Sequence, residues 1–209
     1  MKTVEELHSH LRDIFTILYR AVLFYRDAYY LNNPDSIEET VIANSSSFIK
    51  RTRYAYWFVA VIELCKLFGK KNDNFSLYKL LNILCNNFKS SEWYSIQNLQ
   101  TIKDLQGKIN STEIQTLINN LHGIRDKYYA HSDKNPEKSL EEYTPEFLEV
   151  DKLIELSKQI ITRIALDLCN IQFIIEHPGK RRASNILEDL YNLEQYEKEK
   201  LIQELNKRR

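Results

Sequence analysis

The stretch YAYWFVAVIELCKLF, residues 54–68, decides the fold of this chain. Its apolar side chains fall on nearly all sides of a helix, and a helix of that kind is buried among other helices. We therefore predict the central helix of a bundle, in a helical region from Ile37 to Gly69 that breaks near residues 45–47. Glu63 is the only acidic residue between Lys50 and Gly69. The apolar residues of the central helix are Phe48, Tyr54, Trp57, Phe58, Val61, Ile62, Leu64, Cys65 and Phe68.

Helical spacing of apolar residues continues through the rest of the chain, which contains only four glycines and four prolines. Ser111-Thr112 offers N-capping hydroxyls to one helix, and Thr144-Pro145-Glu146 is the expected cap and first turn of another. The last segment is too sparse in apolar residues for a core helix, so we predict a docking helix or a partner surface there. The fold class is an all-α, antiparallel helical bundle with an additional C-terminal helix. The predicted helices span residues 4–31, 37–69, 76–88, 92–108, 113–129, 144–175 and 184–209.

Composition limits the class of protein further. The 209 residues include 29 basic and 29 acidic side chains, so no global field draws the chain to nucleic acid and any RNA contact must be local. Three widely spaced cysteines, Cys65, Cys85 and Cys169, have core surroundings and match no disulfide or zinc pattern. The most hydrophobic run is too short to span a bilayer. We expect a cytoplasmic protein without a membrane segment, with domains at residues 1–176 and 177–209.

The heptapeptide RDKYYAH, residues 125–131, combines a guanidinium, a carboxylate and an imidazole. On a helical wheel Arg125 lies at the edge of the buried face, where a charge is costly unless it is paired or faces a cleft. Six residues of α-helix turn by about 240°, so Arg125 and His131 do not share a face. They converge if the helix ends near Tyr129, or if a symmetric dimer brings two copies together. The plain alternative is an arginine whose stem packs on apolar surface and whose head is in water.

This pattern resembles the HEPN superfamily, in which an arginine is followed after four to six residues by a histidine. Arg125, Asp126 and His131 match that motif, with five residues between the arginine and the histidine. The surrounding sequence, from Arg125 to Asp133, looks like the AbiU-like abortive-infection HEPN proteins. Many HEPN proteins are homodimeric, metal-independent ribonucleases that act as toxins or in phage defence. Others bind nucleotides or have lost catalysis.

The resemblance implies roles for individual residues. In the predicted catalytic set, Arg125 holds a phosphate, His131 acts as general acid or base, and Asp126 orients one of them. The predicted substrate-binding residues are Tyr129, Lys127 and Glu63. Tyr129 could stack on a base, whereas Tyr128 continues the apolar stripe. Glu63 could face the Arg125 cleft, although a pair with Lys66 one turn away is the plainer interpretation.

The function that follows is a metal-independent endoribonuclease of a phage-defence or toxin–antitoxin system, which cleaves RNA by attack of its own 2′-hydroxyl. We expect no cofactor and no metal, since Glu5-x-x-His8 has no second pair of its kind. The expected partners are RNA, a second copy of the chain and an antitoxin protein. One alternative is a noncatalytic HEPN module that binds a nucleotide, RNA or a protein, and another is a structural adaptor. His10 and His122 have only surface interpretations.

Overall fold

A computed structural model describes residues 3–69, 73–86, 92, 95–130, 145–174 and 183–207. Over these ranges the chain is helical throughout its regular structure and has no strand, which confirms the predicted all-α, HEPN-like bundle. The elements are α1 (Val4–Asn32), α2 (Ile37–Ser45), α3 (Ser47–Leu67), α4 (Leu77–Asn86), α5 (Ile96–Ile109), α6 (Thr112–Ile124), a π-helical turn (Arg125–Ala130), α7 (Phe147–Cys169) and α8 (Ala183–Lys207).

Short polar residues set several helix starts. The Ser36 hydroxyl accepts a hydrogen bond from the Glu39 amide (3.1 Å) at the start of α2, and Ser95 does the same for Asn98 (3.0 Å) at α5. Ser111 occupies the cap position of α6 but makes no side-chain capping bond, contrary to the expectation from its hydroxyl. The predicted break near residues 45–47 is confirmed, because Ser46 separates α2 from α3.

The bounds of α7 differ from the prediction at both ends. Its cap is Glu146, which exchanges hydrogen bonds with Glu149 in a capping box, so Pro145 and Glu146 precede the first turn. At its other end α7 finishes at Cys169, because Asn170 adopts a left-handed conformation with φ of 52°. The predicted continuation of the helix was wrong for residues 170–174, which follow its end, and Phe173 among them stacks on Phe15 at 4.7 Å.

The first of two compact units comprises Met1–Val22 and Phe58–Ile175. Within it α4 packs against α5, while α5 and α6 pack against each other and against α7. The C-terminal part of α3 is part of this core, as the sequence predicts. Its fully or nearly buried apolar residues are Ala60, Val61, Leu64, Cys65 and Leu67, and Phe68 directly after the helix is buried as well. The same expectation was wrong for the N-terminal part of α3, where Phe48 is 65% exposed and Tyr54 is 51% exposed.

The second unit comprises Leu23–Trp57 and Glu176–Arg209. In it α8 packs against α2, as expected of a docking helix, and Leu187 is fully buried. The buried cluster consists of Leu31, Ile42, Ala43, Ile49 and Leu187, with Tyr30, Tyr56, Leu190 and Tyr191 packed around it. The boundary between residues 176 and 177 stays a prediction. In the described ranges no helix combines the length and the apolar composition needed to cross a bilayer.

Candidate functional site

A cleft of about 840 Å³ runs along one face of α6 in the first unit. The α6 residues that line it recur three or four positions apart, as residues on one helical face do. Phe68 and Gly69 at the end of α3, together with Asp73 and Tyr78, form the facing wall. The α6 face and its continuation comprise Gln115, Ile118, Asn119, His122, Arg125 and Asp126.

Arg125 lies where α6 passes into the π-helical turn, and its side chain is 32% exposed. Its Nε donates to Asp126 Oδ1 at 2.6 Å. This hydrogen bond raises the pKa of Arg125 above its ordinary value. The guanidinium is therefore a fixed and oriented cation, and its Nη groups have the geometry that grips two oxygens of one phosphate.

A second carboxylate, Asp73, also lines the cleft and strengthens the protonated state of Arg125. A Cβ added at Gly69 would collide with the Asp73 side chain, so glycine at this position gives that carboxylate its room. Among the described residues of the cleft, two carboxylates thus face one guanidinium. The negative charge of the two carboxylates opposes binding of a polyanion. A phosphate therefore has to contact the Arg125 guanidinium directly.

The π-helical turn carries the rest of the predicted motif. Its wider helical turns are closed by bonds from residue i to i+5, and such turns are frequent at functional sites. Lys127 is exposed on this turn. The backbone of Tyr129 belongs to it, but the Tyr129 side chain lies outside the described residues, and so does the whole of His131. The structure therefore joins Arg125 to Asp126 and leaves their relation to His131 a prediction.

His122 is the cleft residue that sequence reasoning missed. Its Nε2 donates to the backbone carbonyl of Phe68 at 2.9 Å, so the surface interpretation was wrong. The partner is a main-chain atom 54 residues away, which no sequence pattern reveals. The one available signal was its position three residues before Arg125, since such residues are neighbours on a helix.

Polar contacts also fix the wall formed by Tyr78. Gln115 Nε2 donates to the Tyr78 hydroxyl and to the Ile109 carbonyl, the latter at 2.6 Å. Burial raises the pKa of Tyr78, which keeps its hydroxyl protonated. This side of the cleft is accordingly held in one arrangement before any ligand arrives.

A smaller cavity of about 270 Å³ lies on another side of Arg125 and is lined in part by Cys65, Lys66 and Phe75. The Cys65 thiol donates to the Leu121 carbonyl at 3.5 Å. Burial raises the pKa of Cys65 to about 12, although the positive charge of Arg125 opposes the shift. Cys65 is thus a neutral core residue, as its sequence context predicts, and not a nucleophile.

Glu63 lies apart from the cleft and is almost fully buried. Its carboxylate accepts from Lys66 Nζ at 2.8 Å and from Arg20 Nη2 at 3.4 Å. The plainer interpretation of Glu63, a pair with Lys66 one turn away, is confirmed. Glu63 also links α3 to α1, so the structure brings it to Arg20 and not to Arg125.

His10 is a second histidine whose surface interpretation was wrong. Its ring stacks on Phe75 at 6.1 Å, and its Nε2 is buried without a hydrogen-bond partner among the described residues. Burial lowers the pKa of His10, and Lys79 acts in the same direction while Asp13 opposes it. In the described ranges no group of three or more His, Cys, Asp and Glu side chains is arranged to hold a metal ion.

An all-α bundle with an Arg-Asp pair at the end of one helix, followed by His131 in the sequence, defines a protein of the HEPN type. The family model described as AbiU2 matches residues 1–171, so the chain belongs to the AbiU2 family of abortive-infection HEPN proteins. The match includes α1 to α7 and ends before α8. No match was found among curated proteins or among solved structures.

Proposed function

We propose that this AbiU2 protein is a metal-independent endoribonuclease that acts in phage defence or in a toxin–antitoxin pair. RNA carries its own nucleophile, the 2′-hydroxyl, so the protein has to align a phosphate, stabilise its developing charge and move protons. In this proposal Arg125 holds the scissile phosphate, Asp126 orients the guanidinium, and His131 transfers a proton as general acid or base.

The observation that carries the proposal is the Arg125–Asp126 pair at the wall of the cleft. The hydrogen bond uses the Nε of Arg125, and two oxygens of one phosphate can be gripped by its Nη groups. An arginine that only covered apolar surface would not need an oriented partner. A donor fixed in advance is the arrangement that stabilises charge as it develops in a transition state.

The partners belong to the same proposal. A homodimer would place a second Arg125 and a second His131 beside the first pair, and an antitoxin protein would restrain the cleavage. Lys127, which is exposed on the π-helical turn, would contact the RNA backbone and so offset the negative charge of the carboxylates, and Tyr129 would stack on a base. We place this activity in the cytoplasm, because the proposed RNA substrate is found there.

The test is incubation of the purified protein with total RNA in EDTA, beside Arg125→Ala and His131→Ala. Arg163→Ala is the matched control, because this arginine pairs with Asp167 on the surface of α7, away from the cleft. We expect cleavage by the wild type and the control alone. RNA retention without cleavage would support a noncatalytic binding module instead, and the absence of both would support an adaptor.

A further inference from the structure

We infer that His122 is a second proton-transfer residue of the cleft, whose Nδ1 accepts the 2′-hydroxyl proton of an RNA phosphodiester held at Arg125. This inference rests on the proposed function. It concerns a residue outside the Arg125–His131 motif and divides the two proton transfers between two histidines.

The first argument is position. His122 and Arg125 are three residues apart near the end of α6, so their side chains are neighbours on one helical face, and both line the cleft. A phosphate held by the Arg125 guanidinium would therefore lie beside the His122 imidazole. Asn119, one further turn back, extends the same polar face.

The second argument is the hydrogen-bonded state of the ring. A carbonyl can only accept, so His122 Nε2 carries the hydrogen that it donates to Phe68. In a neutral imidazole one nitrogen donates and the other accepts, so Nδ1 holds the available lone pair. A backbone carbonyl orients this ring and selects its tautomer, as the carboxylate of a catalytic triad does for its histidine.

The cleavage step is balanced with these two groups. His122 Nδ1 takes the proton as the 2′-oxygen attacks phosphorus, and the bond between phosphorus and the 5′-oxygen breaks. His131 supplies a proton to that leaving oxygen. The products are a 2′,3′-cyclic phosphate and a free 5′-hydroxyl, and no oxidant, reductant or metal takes part.

A purely structural role for His122 has to be separated from this one, because its Nε2 also satisfies a carbonyl at the end of α3. His122→Gln makes the distinction, since the glutamine amide can still donate to Phe68 but cannot take up a proton. His8→Gln is the matched control, because the His8 ring lies against Phe173 and does not line the cleft.

We expect His122→Gln to cut RNA about 10²- to 10⁴-fold more slowly than the wild type, the range that general bases supply. Its melting temperature and its RNA affinity should match those of the wild type, as expected if the glutamine keeps the hydrogen bond to Phe68. If the wild type cleaves and His122→Gln cleaves at the same rate, only this inference fails. If the wild type cleaves no RNA, the nuclease proposal fails and the inference fails with it.

A substrate with sulfur in place of the 5′-oxygen assigns the base and the acid separately. A thiolate leaves without receiving a proton, so this substrate should restore cleavage by His131→Ala and should not restore it for His122→Gln. Restoration of His122→Gln to the wild-type rate would show that His122 is not the base.

Discussion

Two regions of the first unit have opposite arrangements of charged side chains. At the link between α3 and α1, which we call the α1 side, the Glu63 carboxylate pairs with Arg20 and Lys66, so one buried acid has two basic partners. In the cleft Arg125 meets Asp126 and Asp73, so one half-buried base has two acidic neighbours. The first arrangement links two helices through a buried carboxylate, whereas the second borders the 840 Å³ cleft. Satisfied charge between packed helices indicates a structural link, and oriented charge beside a cleft indicates a site.

The largest expected effect is on catalysis. Arg125→Ala should slow RNA cleavage by about 10²- to 10³-fold, because it removes a donor aimed at developing charge. Glu63→Gln, on the α1 side, should leave the rate unchanged. Single-turnover cleavage of a short RNA by both variants measures the contrast, and a comparable loss in Glu63→Gln would mean that the two regions act as one site.

For stability the order should be the reverse, with the larger effect at Glu63 on the α1 side. Glu63→Ala should lower the free energy of unfolding by about 1–2 kcal/mol, because Lys66 and Arg20 lose a charged acceptor. Lys152→Ala, which breaks an exposed pair with Glu113, serves as the control and should leave the free energy of unfolding unchanged. Urea denaturation of both variants tests this expectation. No change in Glu63→Ala would contradict the structural role assigned to the α1 side.

The charge of the cleft should also limit RNA affinity. Asp126→Asn removes one negative charge next to the proposed phosphate position, which is worth about 1 kcal/mol at 4 Å in water, or roughly a fivefold gain in affinity. The gain should disappear at high salt. Binding titrations in the His131→Ala background avoid cleavage, and Asp104→Asn, on the exposed side of α5, is the control. Weaker binding by Asp126→Asn would mean that orientation of Arg125 outweighs the repulsion.

The smallest expected effect concerns His10. Because burial lowers its pKa in the folded state, the neutral ring stabilises the protein above the ordinary histidine pKa of about 6.5, and this contribution is lost as the pH falls through the folded-state pKa. The melting temperature should therefore drop from pH 8 to pH 5, and it should drop less in His10→Phe. His8→Phe is the control, and equal drops in the wild type and His10→Phe would contradict the prediction.

Periodicity carried the fold prediction a long way. The apolar residues spaced three and four positions apart along α1 are all buried, because such spacing reflects one packed face. They are Leu7, Leu11, Ile14, Leu18, Val22 and Tyr25. Composition alone could not place Phe48 and Tyr54, since apolar residues also occupy much of a protein surface. The end of α7 was missed because a single backbone conformation at Asn170 stops the helix, while the apolar spacing continues at Ile171.

The site was predictable only where its contacts are local. The Arg125–Asp126 pair joins adjacent residues, and Glu63 with Lys66 lies within one turn, so the sequence indicated both. The bonds of His122 to the Phe68 carbonyl and of Glu63 to Arg20 cross 54 and 43 residues. Such contacts depend on how helices pack, and a single sequence does not encode them in any visible spacing.

The buried thiol behind Arg125 offers a way to watch this region without altering it. Cys65 is 2% exposed and its pKa is about 12, so an alkylating reagent at neutral pH should not react with it while α3 and α6 stay packed together. Any event that parts α3 from α6 would uncover the sulfur and start the reaction. With Cys85 and Cys169 replaced by serine, the labelling rate of Cys65 measures how often α3 and α6 separate beside Arg125.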